Sequence, residues 1–226
     1  MKPSDTDKSY TLGWKTLKQD WPIWVFLAGL IAAGFVLYPM LPDRVPAHWN
    51  IRGEIDRYAS RAFGAFFAPL LALGLYLLML LLPLIDPRRD NYTRFAGAYR
   101  LIRWGLVILM GALYTVTVGV ALGYNLNVSL FVKGSIALLL TLIGNIMGQV
   151  KFNYFVGIKT PWTLASEEVW RRTHRLASWL WVVGGLICFA LAPVQSLWST
   201  YAFFGCVTAM VLAPVVFSYV VFRKFT

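Results

Sequence analysis

The sequence predicts an all-α polytopic membrane protein with about six transmembrane helices, both termini inside, a short structured outer loop and an inner interfacial helix. Three observations carry that reading. Of 226 residues, 58% are hydrophobic and only 14% charged, where a soluble domain would carry about 25% charge. About six apolar runs, each near the roughly 20 residues that a spanning helix needs, are bounded by charged or turn-forming residues. Lys and Arg gather on alternate connections, as the positive-inside rule requires of a multi-span chain.

The first twenty residues mix Lys2, Lys8, Lys15 and Lys18 with Asp5, Asp7 and Asp20. The first span, Trp21 to Leu41, is too long for a signal-peptide core and is followed by no small-residue cleavage site, so it is expected to persist as a helix. The remaining spans are expected at Ala62 to Ile85, Leu101 to Gly123, Val128 to Gly148, Ala177 to Val194 and Thr200 to Phe222. The connections "YNLN" and "PVQSLWS" are short enough to fold the helices they join into antiparallel hairpins.

Sixteen Lys and Arg residues then fall on the N-terminal side of the membrane, including Arg88, Arg89, Arg94, Arg100 and Arg103 between spans two and three. The other side holds Arg44, Arg52, Arg57 and Arg61, all in the first loop, while Lys133 lies in the fourth span near its outer end and is expected to snorkel outward. The net charge of +11 therefore reflects topology rather than a nucleic acid partner. Cys188 and Cys206 fall inside spans, where cysteine acts as a small apolar residue, and no structural disulfide is expected. Without an internal repeat or low-complexity segment, 1–226 reads as a single membrane domain. Residues 21–85 form a helix pair around an outer loop at 42–61, and 128–222 form a C-terminal group around an inner loop at 149–176.

In the outer loop, Pro42 and Pro46 stop the first helix from continuing. Asn50 and Gly53 then flank a turn, and the segments on either side have hairpin length, which would bring His48 and Asn50 near Glu54 and Asp56. Two readings stay open: a recognition platform for an outside ligand, or a surface turn whose Trp49 and Tyr58 sit in the interfacial belt. One histidine with two carboxylates at loop spacing is a weak metal set. Neither a metal nor a cofactor is expected.

Gly144 and Gly148 have the small-xxx-small spacing that lets another helix approach closely. Asn145, Gln149 and Asn153 follow at steps of four, so their amides share one helix face for as long as the helix lasts. Such amides are expected to face the bundle, as interhelical hydrogen bonds or as the lining of a polar cavity. Gly157 and Pro161 then break the helix and deliver Lys159 and Trp162 to the inner headgroup zone.

"SEEVWRRTHRL" reads as a new amphipathic helix capped by Ser166 or Thr163, with Glu167 and Glu168 at its positive end. Expected pairs are Glu167–Arg171 and Glu168–Arg172, with Trp170 and His174 on one face. This helix lies on anionic lipid through its arginines or offers a docking surface to a cytoplasmic protein. Catalysis by His174 is not expected, because the motif offers no nucleophile or orienting carboxylate.

Together the two loops resemble the SdpI family of membrane proteins. Pro42, Pro46, His48-Trp49-Asn50, Gly53 and Asp56 after a first span are similar to the membrane domain of unknown function at the N-terminus of SdpI-like proteins. Gly144-Asn145, Asn153, Gly157-Ile158-Lys159-Thr160-Pro161-Trp162-Thr163-Leu164, Glu168, Trp170 and His174 resemble the family's C-terminal signature, with Lys159 standing where Arg is commoner. The resemblance covers most of the chain, and the second pattern is the more specific.

It implies a multi-pass immunity and signalling protein of the bacterial cytoplasmic membrane. On that basis His48, Trp49, Asn50, Gly53 and Asp56 would meet an extracytoplasmic toxic peptide. Asn145, Asn153, Gly157, Lys159, Thr160, Pro161, Trp162, Glu168, Trp170 and His174 would contact a cytoplasmic regulator. Membrane lipids are the remaining expected partner.

Two rival classes stand beside this. A lipid-modifying enzyme would use Lys159, Arg171, Arg172, Arg175 and His174 as an anion site, but no paired-carboxylate, nucleophile or metal-ligand motif accompanies them. A transporter lined by Lys133, Asn145 and Gln149 would be expected to show an inverted repeat or several intramembrane charges, and Lys133 is the one charged residue well inside a predicted span.

Overall fold

In a bilayer every backbone N–H and C=O must bond within the protein, so long apolar segments become helices. The computed structural model describes residues 10–225 and has six helices long and apolar enough to cross a membrane among them. Lys2, Asp5, Asp7 and Lys8 lie outside the described residues. A short helix α1 (Trp14–Gln19) precedes α2 (Trp21–Leu37), which ends in a single 3-10 turn at Tyr38–Met40. Strands β1 (Arg44–Trp49) and β2 (Ile55–Ser60) follow, then α3 (Arg61–Ile85), a 3-10 segment at Arg89–Phe95, and α4 (Ala96–Ala121). Helix α5 (Val128–Met147), the five-residue α6 (Pro161–Ala165), α7 (Glu167–Leu191) and α8 (Leu197–Phe222) complete the chain.

Helices α2, α3 and α4 pack in sequence order, α4 meets α5, and α5 packs most extensively on α7, which in turn packs on α8. The small residues explain the α5–α7 contact. A Cβ at Gly144 would stand 2.7 Å from the backbone nitrogen of Val182, and one at Gly185 would collide with Thr141. Ser178 Oγ donates to the Gly144 carbonyl at 2.7 Å. Large apolar side chains such as Phe35, Trp179 and Trp198 stay exposed on the bundle's outside, the surface that lipid would cover.

The α2–α4 side is pinned by a buried polar cluster that the sequence reading left as background charge. Asp20 is fully buried just before α2. Its carboxylate accepts from Tyr76 Oη at 2.7 Å, from Trp104 Nε1 at 3.0 Å, and from the Arg103 guanidinium. Arg103, counted above among the inside cations between spans two and three, is thus a buried ion-pair partner, because α4 begins at Ala96 and carries it into the helix packing.

Three further expectations are corrected. The inner amphipathic segment is helical, but it is the first turns of α7 rather than a separate helix, since nothing between Glu167 and Leu191 breaks the hydrogen-bond ladder. Ser166 caps it, with Oγ accepting from Val169 N at 3.4 Å. Asn145, Gln149 and Asn153 do not share a helix face: α5 ends at Met147, Asn145 and Gln149 are exposed, and Asn153 is buried in the following loop. Arg171 pairs with Glu168 rather than Glu167, because Glu168 takes Arg171 and Arg172 together, at 2.7 and 2.6 Å.

Candidate functional site

At one end of the bundle β1 and β2 form an antiparallel hairpin. Asn50 makes its turn: Oδ1 accepts from Arg52 N at 2.8 Å and Glu54 N at 3.1 Å, and Nδ2 donates to Glu54 Oε2 at 2.8 Å. Gly53 at φ +80° supplies the left-handed step that closes the turn. The register slips between Pro46 and Trp49, as expected where proline lacks a ladder N–H and a bulge re-aims its neighbours. His48 Nδ1 then lies 2.6 Å from Asp56 Oδ1, with both side chains about half exposed. Thus the five outer candidates belong to one small structure, and Glu54 serves the turn rather than the His48–Asp56 pair.

The hairpin is seated firmly. Val45 is fully buried against Gly64 of α3, where a Cβ would lie 2.6 Å from a Val45 methyl. Arg61 at the start of α3 donates to Asp43 at 2.7 Å. Beneath the hairpin lies a cavity of about 690 Å³ between α3, α4, α5 and α8, roofed by Pro46 to Ile51 and Gly53. Lys133 lines it. Rather than snorkelling to the outer surface, its side chain is 7% exposed and Nζ donates to Thr200 Oγ1 at 2.9 Å. The turn between spans five and six brings Thr200 within reach, so the stem has a partner inside.

At the opposite end the inner loop is held from within. Asn153 is fully buried: Oδ1 accepts from Phe155 N and Val156 N at 2.9 and 2.7 Å, and Nδ2 donates to the carbonyls of Lys151 and Val156. Asp86, at the end of α3, accepts from Tyr92 Oη at 2.9 Å and Tyr154 N at 3.0 Å, while Asn91 donates to the Phe152 carbonyl at 2.7 Å. The loop after α3 and the loop after α5 are therefore joined by side chains that read as ordinary polar residues in the sequence.

His174 completes this lock. It is 1% exposed, stacked on Trp170 with ring centroids 4.1 Å apart. Nδ1 lies 2.8 Å from the Trp170 carbonyl and must carry a proton to donate to it, while Nε2 accepts from Ile158 N at 3.0 Å. Both ring nitrogens are used, which leaves none for proton transfer to a substrate. Gly157 has φ +119° and its Cβ position is taken by the His174 ring and, at 3.1 Å, by Trp170. Thr160 and Thr163 form a reciprocal capping box over Pro161, and Thr160 Oγ1 reaches Ser218 Oγ at 3.0 Å on α8. Trp170 Nε1 donates to the Val150 carbonyl at 3.0 Å, and Trp162 packs on Tyr219.

The inner candidates thus divide by exposure. Asn153, Gly157, Thr160, Trp170 and His174 build the loop, whereas Lys159 and Pro161 are exposed and Glu168 holds exposed Arg171 and Arg172 at the surface. Asn145 stands apart on the outside of α5. Asp20, Tyr76, Asp86 and Tyr92 were missed. The available signal was an acid at the edge of an apolar run, which must find a partner if it is to be buried.

Residues 149–218 match the SdpI/YfhL protein family, and residues 25–73 match the domain of unknown function DUF1648. A curated relative, the immunity protein SdpI of Bacillus subtilis (strain 168), is 29% identical over 157 residues, which cover 70% of this chain and 73% of the relative. No solved structure matches the chain.

Proposed function

We propose that this chain, an SdpI-like multi-pass membrane protein by its two matched regions, is an immunity protein that protects its host against a toxic peptide arriving from outside. The observation that carries the reading is the hairpin: an ordered, half-exposed recognition surface, seated by Val45 on Gly64, at the end that the positive-inside rule assigns to the outside. The relative's name supports the immunity role. His48 and Asp56 supply a paired polar contact, Ile51 and Tyr58 supply exposed apolar area, and Asn50 and Gly53 keep the turn in shape.

The inner end is the docking face for a cytoplasmic regulator. Its buried motif residues keep the loop in one conformation, and the exposed cations Lys159, Arg171, Arg172 and Arg175 form the contact surface. A basic surface of this kind suits an acidic partner. The bacterial cytoplasmic membrane is the location that fits both ends.

The test is growth of a peptide-sensitive bacterium expressing the chain, challenged with a panel of secreted membrane-active peptide toxins. Survival above the empty-vector control for at least one peptide is expected. Equal killing across the panel, at verified membrane abundance, would overturn the immunity reading.

A further inference from the structure

The cavity under the hairpin carries an unusual feature for its depth. Lys133 is five residues into α5, about 8 Å below its outer end, and is 93% buried by the exposure of 7%. Among the described residues its amino group has one hydrogen-bond partner, the Thr200 hydroxyl, which itself faces the Ser196 carbonyl at 3.2 Å. An ammonium carries three N–H donors, so two remain without a protein acceptor. No carboxylate lines the cavity. Val128 and Ser129 in the first turn of α5 and Thr200 in that of α8 line the same cavity, so two positive helix ends add to the field there. A buried positive charge without a counter-ion is costly at membrane depth.

Most of the remaining lining is apolar, with polar groups added by His48, Asn50, Tyr114, Thr117 and Ser129. One wall is α3, which packs on α2 and α4, and the other is α8, which packs on α6 and α7. Phe67 on the first wall is 50% exposed and Phe204 on the second is 58% exposed, and both line the space. An occupant thus meets one cation about 8 Å below the outer end of α5 and mainly apolar side chains around it.

We propose that this cavity binds one anionic glycerophospholipid, with its phosphate on Lys133 Nζ and an acyl chain between Phe67 and Phe204. A zwitterionic lipid would bring a second cation toward Lys133 and the two helix ends, so the site should select net negative charge. This assignment stands whether or not the hairpin meets a toxic peptide.

The experiment is native mass spectrometry of the purified full chain, delipidated and then offered equimolar phosphatidylglycerol and phosphatidylcholine with the same acyl chains, with palmitate in a separate arm. Wild type should retain one phosphatidylglycerol in about tenfold preference, since both lipids offer Lys133 a phosphate but only phosphatidylcholine brings a second cation beside it. Lys133→Met should bring the preference to near unity, and Lys133→Arg should restore most of it. Ala68→Trp, which fills the cavity without touching the charge, should lose both lipids and guards against a Lys133 variant that fails to fold. Equal retention of the two phospholipids by wild type, an undiminished preference in Lys133→Met, or retention of palmitate in place of phosphatidylglycerol would each overturn the proposal.

Discussion

Replacing Gly157 with alanine is the smallest change expected to unlock the inner loop. The residue sits at φ +119°, a region that side chains rarely adopt, and a Cβ would occupy space held by the His174 ring. Backbone strain of this kind costs about 1–3 kcal/mol. Displacing the imidazole also breaks the 3.0 Å bond from Ile158 N to Nε2, worth about 1 kcal/mol. The sum is about 3 kcal/mol. For a chain of this size that lowers the melting temperature by about 6–12 °C, measurable by fluorescence-detected thermal unfolding in detergent.

A second arm isolates the cause. His174→Ala removes the ring that the new methyl would strike, so the double variant should be more stable than the two single losses predict, by about 1 kcal/mol or more. A Gly157→Ala protein that melts within about 2 °C of wild type, or a strictly additive double variant, would refute the lock.

Asp20→Ala should destabilise by about 3–5 kcal/mol, since it strands the buried Arg103 charge; Asp20→Leu combined with Arg103→Met should recover much of that loss in the same melt. Gly64→Val should displace Val45 and loosen the hairpin, read as faster trypsin cleavage after Arg52 or Arg57 with the bundle still folded. Asp56→Asn should change the melting point little, because the His48–Asp56 pair is half exposed and such pairs contribute at most about 1 kcal/mol. With Cys188 and Cys206 replaced by alanine, Ile51→Cys should react with a membrane-impermeant maleimide on intact cells, and Lys151→Cys only after lysis.

The six spans were legible because apolar length is a strong signal and the positions of helix ends shift it only slightly. The hairpin was legible for a different reason: Asn50, Gly53 and the two prolines act locally, each through its own backbone. What escaped the sequence depends on contacts far apart in the chain. Nothing near Asp20 says that Arg103 and Tyr76 will surround it, and nothing near Asn145 says that α5 stops before Asn153. The i,i+4 rule offered Glu167 to Arg171, but a carboxylate one residue later could serve two arginines at once. Lys133 was misplaced because snorkelling assumes open lipid around the stem, whereas here α8 presents Thr200 beside it.

The most direct measurement is survival under toxic-peptide challenge of cells carrying the wild type, Asp56→Ala with His48→Ala, or Arg171→Glu with Arg172→Glu, matched for membrane abundance. If the hairpin is the sensor, the outer variant should lose protection while the inner variant keeps it and loses only the recruitment of a cytoplasmic partner. Full protection by the outer variant against a peptide that wild type resists would contradict the assignment of toxin recognition to the hairpin.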